Sequence, residues 1–369
     1  MVRTRSAVQI CATAPEKIMY KKVIKPILFR FNPELVHDFF ISFGEFLGGF
    51  TLGRNLVSLF YNYRGPDISK TVDGIKYRTP ILLSAGFDYN GRLSRILSAL
   101  SFGGEEVGSV TARPCAGNDR PRLTRLPRSK SIIVNKGLKN DGVEKIIARL
   151  KNRPRAENFV IGISLARTND AASATLPESI ADYAFSLRRL TEEGVGDYYT
   201  INISCPNAYS GEIFTDPDSL EGLFQVLDKI SRANPKKPLY VKMPTSVSDQ
   251  TFKELLAVLA RHKVEGVVIG NLMKDYRKIN VHDASPEKFQ GGLSGAPCFD
   301  RGNELIALTK KEYKNRFTII GSGGIFSPAD AKKKMELGAD LVQLITGMIY
   351  EGPGLINAIC RSLAVAPRR

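Results

Sequence analysis

The segment Tyr199-Thr-Ile-Asn-Ile-Ser-Cys-Pro-Asn207 joins an apolar, β-branched run to an abrupt polar end. Such a run is typical of a buried strand, and Pro206 ends it because proline lacks the N–H that a central strand needs. Cys205 and Asn207 then lie in the following loop. The residues allow two interpretations: a thiol that faces a ligand, or a small buried cysteine beside turn-forming asparagines.

Eight runs of this kind recur along the chain, and several are separated by amphipathic helical patterns. Apolar strands that alternate with helices predict a parallel sheet, and eight units over about 300 residues predict an α/β protein with a (β/α)8 TIM barrel. An open doubly wound sheet is the alternative, although no GxGxxG motif follows the first strand. The strands are predicted at 81–85, 106–110, 160–164, 198–203, 239–242, 266–269, 318–320 and 341–345, and helices at 177–193, 219–233, 249–262 and 328–337.

The composition excludes several classes of site. The five cysteines have no paired spacing and the three histidines are far apart, so neither a disulfide framework nor a zinc site is expected. Lysine and arginine number 53 against 37 acidic residues, a net charge of +16. This excess attracts polyanions in general, but no nucleic-acid-binding motif accompanies it, and no nucleic-acid partner is expected.

The first 65 residues form a separate region. Residues 1–18 are predicted to be a flexible leader, and 19–65 a helical extension of the barrel at 66–369. Asn32-Pro33 predicts a helix start, and the glycines at 48–49 separate this helix from a second one at 54–63. The helix that begins at Asn32-Pro33 has an apolar stripe. This stripe fits either an interfacial membrane anchor beside basic residues or a cap packed on the barrel. The stripe comprises Leu35, Val36, Phe39, Phe40 and Phe43, and the basic residues are Lys17, Lys21, Lys22, Lys25 and Arg30.

Polar groups and glycines follow the predicted strands, where a barrel places its active site. The glycines of 321–324 and Thr346 follow the seventh and eighth strands, which predicts a phosphate site, and the loop at 291–297 is placed to close over it. Lys242 ends the fifth strand; its ammonium is either a partner for the pyrimidine edge of a flavin or a lysine that reaches the surface.

Three motifs resemble the signatures of the dihydroorotate dehydrogenase family: Asn202-Ile-Ser-Cys-Pro-Asn207, Gly292-Leu-Ser-Gly-Ala-Pro297 and Gly321-Ser-Gly-Gly-Ile325. The helical extension and the segments 106–114, 121–127 and 140–143 resemble its membrane-associated, quinone-dependent class. The resemblance implies an FMN enzyme that oxidises dihydroorotate to orotate in pyrimidine biosynthesis, with quinone reoxidising the flavin through a tunnel under 19–65. It also implies peripheral attachment at the inner or cytoplasmic membrane face.

The resemblance assigns roles to individual residues. Cys205 takes the position of the catalytic base. The implied substrate contacts are Tyr89, Asn135, Asn202, Asn207 and Asn271. The implied cofactor contacts are Ala85, Gly86, Ser109, Ser164, Asn202, Lys242, Gly270, Gly295, Gly324, Ile345 and Thr346.

Several positions depart from the family pattern. Tyr89 replaces a lysine that serves flavin and substrate, Val134 replaces a substrate-binding asparagine, and Leu272 replaces a threonine. Ser164 replaces an asparagine, and Cys205 is typical of the soluble class rather than the quinone-dependent one. These departures leave two alternatives: a paralogue acting on another cyclic amide or enone, and a catalytically idle flavin-binding protein.

Overall fold

A computed structural model of the chain describes residues 19–152, 156–204, 211, 213–233, 237–283 and 291–365. Within these ranges, eight parallel strands close into a barrel in the order β3-β4-β7-β8-β9-β10-β12-β13, with β13 paired to β3. The strands are β1 (Lys70–Val72), β2 (Ile75–Tyr77), β3 (Ile81–Leu83), β4 (Gly104–Val110), β5 (Leu123–Leu126), β6 (Ser131–Val134), β7 (Val160–Leu165), β8 (Tyr198–Asn202), β9 (Leu239–Met243), β10 (Gly266–Ile269), β11 (Gly292–Gly295), β12 (Thr318–Ser322) and β13 (Leu341–Leu344). The predicted barrel is confirmed and the open-sheet alternative is wrong.

Helices cover the outside of the barrel, and their N-termini carry the caps that the sequence provides. Thr175 and Glu178 form a reciprocal capping box, and the Ser327 hydroxyl accepts from the Asp330 amide. The helices are α1 (Lys25–Leu28), α2 (Pro33–Gly48), α3 (Thr51–Tyr61), α4 (Val143–Lys151), α5 (Leu176–Glu192), α6 (Pro217–Ala233), α7 (Asp249–Ala260), α8 (Phe299–Tyr313), α9 (Pro328–Glu336), α10 (Thr346–Glu351) and α11 (Gly354–Ala364). A π-helical turn, Tyr20–Ile24, leads into α1.

Two small sheets lie outside the repeating pattern, and neither is predicted from the sequence. The β1–β2 hairpin packs Val72 and Tyr77 against barrel residues near the strand starts, and Tyr240 donates to Asp73 at 2.7 Å. It therefore closes the amino-terminal end of the barrel. At the carboxyl end, β5, β6 and β11 form an antiparallel sheet in which β6 pairs with both neighbours. This second sheet contributes to the wall of the cavity described below.

Helix α2 packs on the barrel with the face opposite to the one expected for a cap. Asn32 caps α2 as predicted, accepting from Glu34 N at 2.8 Å. Glu34, on the predicted polar side, is buried, whereas Leu35 and Phe39 of the apolar stripe are 65% and 58% exposed. The alternative in which the stripe packs on the barrel core is therefore wrong. The barrel receives Glu34, Ile41 and Gly48 of α2, and the phenylalanines face outward.

Candidate active site

A cavity lies at the carboxyl end of the barrel. Its wall is formed by the ends of the barrel strands together with residues of β5, β6 and β11. This is where (β/α)8 barrels bind ligands, because all eight strands point their following loops to one face. The predicted site residues that line it are Ala85, Gly86, Tyr89, Ser109, Asn202, Lys242, Gly270, Asn271, Gly295, Gly324, Ile345 and Thr346.

One side of the cavity is a glycine-lined cradle formed by Gly295, Gly324 and the start of α10. Gly324 has φ +74°, and a Cβ there would lie 2.5 Å from Phe299 Cβ. Gly295 has φ +84°, and its Cβ would lie 2.3 Å from Lys130 O. Only glycine fits either position, so the wall is bare backbone, which an anion can approach closely. The Thr346 hydroxyl, 2.9 Å from that of Ser294, adds a polar group at the same place.

The opposite side is a connected set of buried polar groups at the ends of five strands. Asn202 donates to Ser109 Oγ at 2.8 Å, and Ser109 Oγ lies 2.9 Å from Ser164 Oγ. Ser204 donates its hydroxyl to Lys242 O at 3.0 Å. Asn271 donates to the Ser204 carbonyl at 2.6 Å. Because each amide is held by a neighbour, its orientation at the cavity wall is fixed.

Lys242 brings a positive charge to this polar side. It is 6% exposed and its register partner on β8 is Asn202, so the ammonium and the carboxamide share one edge of the cavity. The alternative of a lysine that reaches the surface is wrong, because the side chain is buried and lines the cavity. A buried ammonium favours an anionic group next to it.

Not every predicted residue lies on the wall. Ser164 stands behind Ser109 and reaches the cavity only through it. Asn135 is not among the lining residues: its carboxamide oxygen accepts from Asn118 Nδ2 at 2.7 Å. The reason is the alternation of side chains in extended backbone, since Val134 already faces the cavity and its neighbour points elsewhere. Cys205 and Asn207 lie outside the described residues.

Two functional candidates, His37 and Lys136, are absent from the sequence-based predictions. Both line the cavity beside Tyr89, whose ring centroid is 5.1 Å from that of His37 and 5.4 Å from Lys136 Nζ. Burial lowers the pKa of His37 and of Lys136 and raises that of Tyr89. His37 sits on the polar side of α2, and only the inverted packing of that helix brings it here. The polarity of this side of α2 is the signal that could have indicated it.

The fold and the cavity together define a (β/α)8 barrel protein with a glycine-lined, polar cavity at the carboxyl ends of its strands. The sequence profile of the dihydroorotate dehydrogenase family matches residues 67–366, and the chain belongs to this family.

Curated relatives support this assignment over most of the chain. The quinone-type dihydroorotate dehydrogenase of Christiangramia forsetii is 33% identical, over 92% of this chain and 97% of its own. That of Thermosynechococcus vestitus is 35% identical, over 94% and 96%. The crystal structure of an Eimeria tenella dihydroorotate dehydrogenase in complex with ferulenol has a similar fold, with a TM-score of 0.77, 23% identity and coverage of 92% and 93%.

Proposed function

We propose that the protein oxidises dihydroorotate to orotate with FMN as its cofactor and quinone as electron acceptor, a step of pyrimidine biosynthesis. The observation that carries this function is that twelve of the predicted flavin and substrate residues, from separate strand ends, line one cavity. Membership of the dihydroorotate dehydrogenase family supports it.

The cavity has groups suited to both the phosphate of FMN and the pyrimidine edge of its ring. The cradle of Gly295, Gly324 and Thr346 would present bare backbone and the Thr346 hydroxyl to a phosphate. Lys242 offers an ammonium to the pyrimidine edge of the ring, which becomes anionic on reduction. Asn202, fixed by Ser109, lies beside it. When bound, FMN supplies the acceptor for a hydride.

The substrate ring would bind between the flavin and the polar side of the cavity, with Asn202, Asn207 and Asn271 as amide partners. Cys205 would remove a proton from one ring carbon while the hydride leaves its neighbour, so that one C=C bond forms and the substrate loses two electrons. Cys205 directly follows Ser204, which the Lys242 carbonyl and the Asn271 amide hold at the edge of the cavity. A thiol is a competent base once its pKa falls from about 8.5.

Anaerobic mixing of the purified yellow protein with dihydroorotate tests this function, and we expect the flavin absorbance to bleach. Cys205→Ala should stop bleaching while leaving FMN content unchanged, and Cys205→Ser should retain part of the rate with its pH profile moved upward. A protein that stays yellow at saturating dihydroorotate would remove the substrate assignment. A protein that remains colourless after incubation with FMN would remove the cofactor.

Peripheral membrane contact through the N-terminal helices is the second part of the proposal, at the inner or cytoplasmic membrane face. The outward residues of α2 and α3 include Phe46 at 64% and Leu52 at 76% exposure, a larger apolar surface than water-exposed helices normally carry. Among the residues described, no helix is both long and apolar enough to cross a bilayer. An interfacial position brings a membrane quinone to the side of the cavity that His37 lines.

Sedimentation with phospholipid vesicles tests this contact. The double variant Phe39→Ser/Phe46→Ser should lose roughly tenfold or more in vesicle affinity, because each phenylalanine gives up apolar burial in the interface. Phe185→Ser is the matched control, since Phe185 is 43% exposed on α5 of the barrel. Equal binding by all three proteins would contradict the proposed membrane face.

A further inference from the structure

The proposed substrate carries a carboxylate, and a carboxylate that leaves water requires a cation or several donors. The family pattern implies a lysine at position 89, but this chain has a neutral tyrosine there. The lysines on the cavity wall are Lys136, Lys139 and Lys242. Lys242 belongs to the polar side that we assign to the flavin, so the cation for the substrate has to come from elsewhere on the wall.

Lys136 brings its ammonium to the place that a lysine at position 89 would serve. It follows β6 by two residues, and its Nζ lies 5.4 Å from the centroid of the Tyr89 ring. Its side chain is 9% exposed, and the neighbouring wall residues Val134 and Leu138 are apolar. An ammonium over an aromatic face in such surroundings is attracted to the ring and oriented by it.

Lys136 is not neutralised by its ion pair. Its Nζ lies 3.1 Å from Glu34 Oε1, but Arg120 Nε lies 3.5 Å from the other oxygen of the same carboxylate. Two cations therefore share one anion, and the group keeps a net positive charge. The nearby Asp38 faces His37 at 3.2 Å, and Lys139 offsets its charge. An ammonium has three donors, of which Glu34 takes one.

We propose that Lys136 is the residue that binds the substrate carboxylate in this protein, with Tyr89 and Glu34 as the positioning residues that hold its ammonium over the cavity. This inference rests on the proposed function and names the specificity-determining contact within it. The tyrosine at position 89 then supplies an aromatic ring that orients an ammonium. The ammonium itself comes from Lys136, in the loop after β6. Glu34 belongs to α2, so the N-terminal helices help to build the substrate site.

Binding of orotate to the FMN-loaded protein, followed by the change in flavin absorbance, tests the assignment. Uracil serves as the second probe because it has the same ring without the carboxylate. Lys136→Met should weaken orotate binding by roughly tenfold to a hundredfold, as expected for losing a charged hydrogen bond, and leave uracil binding unchanged. Lys136→Arg should keep most of the affinity. Lys311→Met, on the exposed side of α8, is the control for net charge.

Further variants separate binding from folding. Glu34→Gln/Lys136→Met leaves no unpaired buried carboxylate. Tyr89→Lys/Lys136→Met should regain orotate affinity because it places an ammonium at position 89 instead. FMN content reports folding in each case. Orotate affinity within twofold of wild type in folded Lys136→Met would overturn the assignment of Lys136 alone. Equal losses for orotate and uracil would also overturn it, by indicating a structural role. Absence of orotate binding in the wild-type protein would overturn the proposed function with it.

Discussion

The barrel and the N-terminal helices use the same kind of amphipathic helix in opposite ways. In α7, the apolar residues Phe252, Leu255 and Leu259 are completely buried against the strands. In α2, Glu34 is buried, whereas Leu35 and Phe46 are more than half exposed. The comparison shows that apolar periodicity specifies a helix with two faces, while the surface that the helix meets decides which face is buried. The barrel helix buries its apolar residues against the strands, whereas the N-terminal helix α2 leaves apolar residues exposed.

The contact between the two regions combines the buried apolar side chain of Ile41 with several polar pairs. Arg92 of the barrel donates to Glu45 of α2 at 2.6 Å. His37 Nε2 lies 2.8 Å from the Phe87 carbonyl. The Lys136–Glu34 pair belongs to the same contact. Polar contacts fix the angle of α2 with specific geometry, and they allow its apolar stripe to remain outside.

The largest expected effect is on the barrel side of the comparison. Phe252→Ala should lower the free energy of unfolding by about 3–5 kcal/mol, because it removes a fully buried ring and leaves a cavity. Urea denaturation followed by circular dichroism measures the change. A loss below about 1 kcal/mol would show that α7 does not carry the packing we assign to it.

A charged residue buried in the barrel gives the next effect. Lys334 is fully buried, its Nζ donates to Asn303 Oδ1 at 3.1 Å, and burial lowers its pKa to about 8. The charged form is penalised in the folded state, so Lys334→Met should raise the free energy of unfolding by about 1–3 kcal/mol at pH 7.

The pH dependence of this gain tests its cause. Between pH 8 and about 10.5 folded Lys334 has lost its proton and the unfolded lysine has not, so the wild-type protein recovers stability as pH rises. The advantage of Lys334→Met should therefore shrink from pH 8 to pH 10 in thermal denaturation. A variant less stable than wild type at pH 7 would show that the ammonium is stabilising there.

At the contact between the regions, His37 predicts a smaller effect at acid pH. Burial, and then the neighbouring Lys136 charge, lower the pKa of this histidine below its usual value. Below pH 6.5 the unfolded chain binds a proton that the folded chain refuses, so stability falls as pH falls through this range. His37→Gln should flatten the decline between pH 7 and pH 5 in urea denaturation. An unchanged slope would show that His37 does not titrate in this window.

The smallest effect belongs to the outward face of α2. Phe39→Ala should change the free energy of unfolding by no more than about 0.5 kcal/mol, because the ring is already 58% exposed. The same denaturation experiment, run beside Phe252→Ala, measures it. A loss comparable to that of Phe252→Ala would mean that the stripe is covered in solution.

Much of the barrel and of its site follows from the sequence, for identifiable reasons. The eight strands carry continuous apolar runs, and the residues after them lie at one end because parallel strands share a direction. The β1–β2 hairpin and the β5–β6–β11 sheet escaped prediction, because their strands lie outside the alternation of strands and helices that indicated the barrel. Asn135 is next to the right position in sequence, but strand alternation turns it away from the cavity.

The sequence by itself determined the eight barrel strands, the amphipathic helices predicted between them and the set of polar groups at the strand ends, because these depend on residues near one another in the chain. Only the tertiary structure decided that α2 packs with Glu34 and His37 inward, and that Lys136 lies over Tyr89. These contacts join residues from 47 to 102 positions apart. No local sequence pattern encodes these contacts, since they depend on how the helices and strands pack against one another.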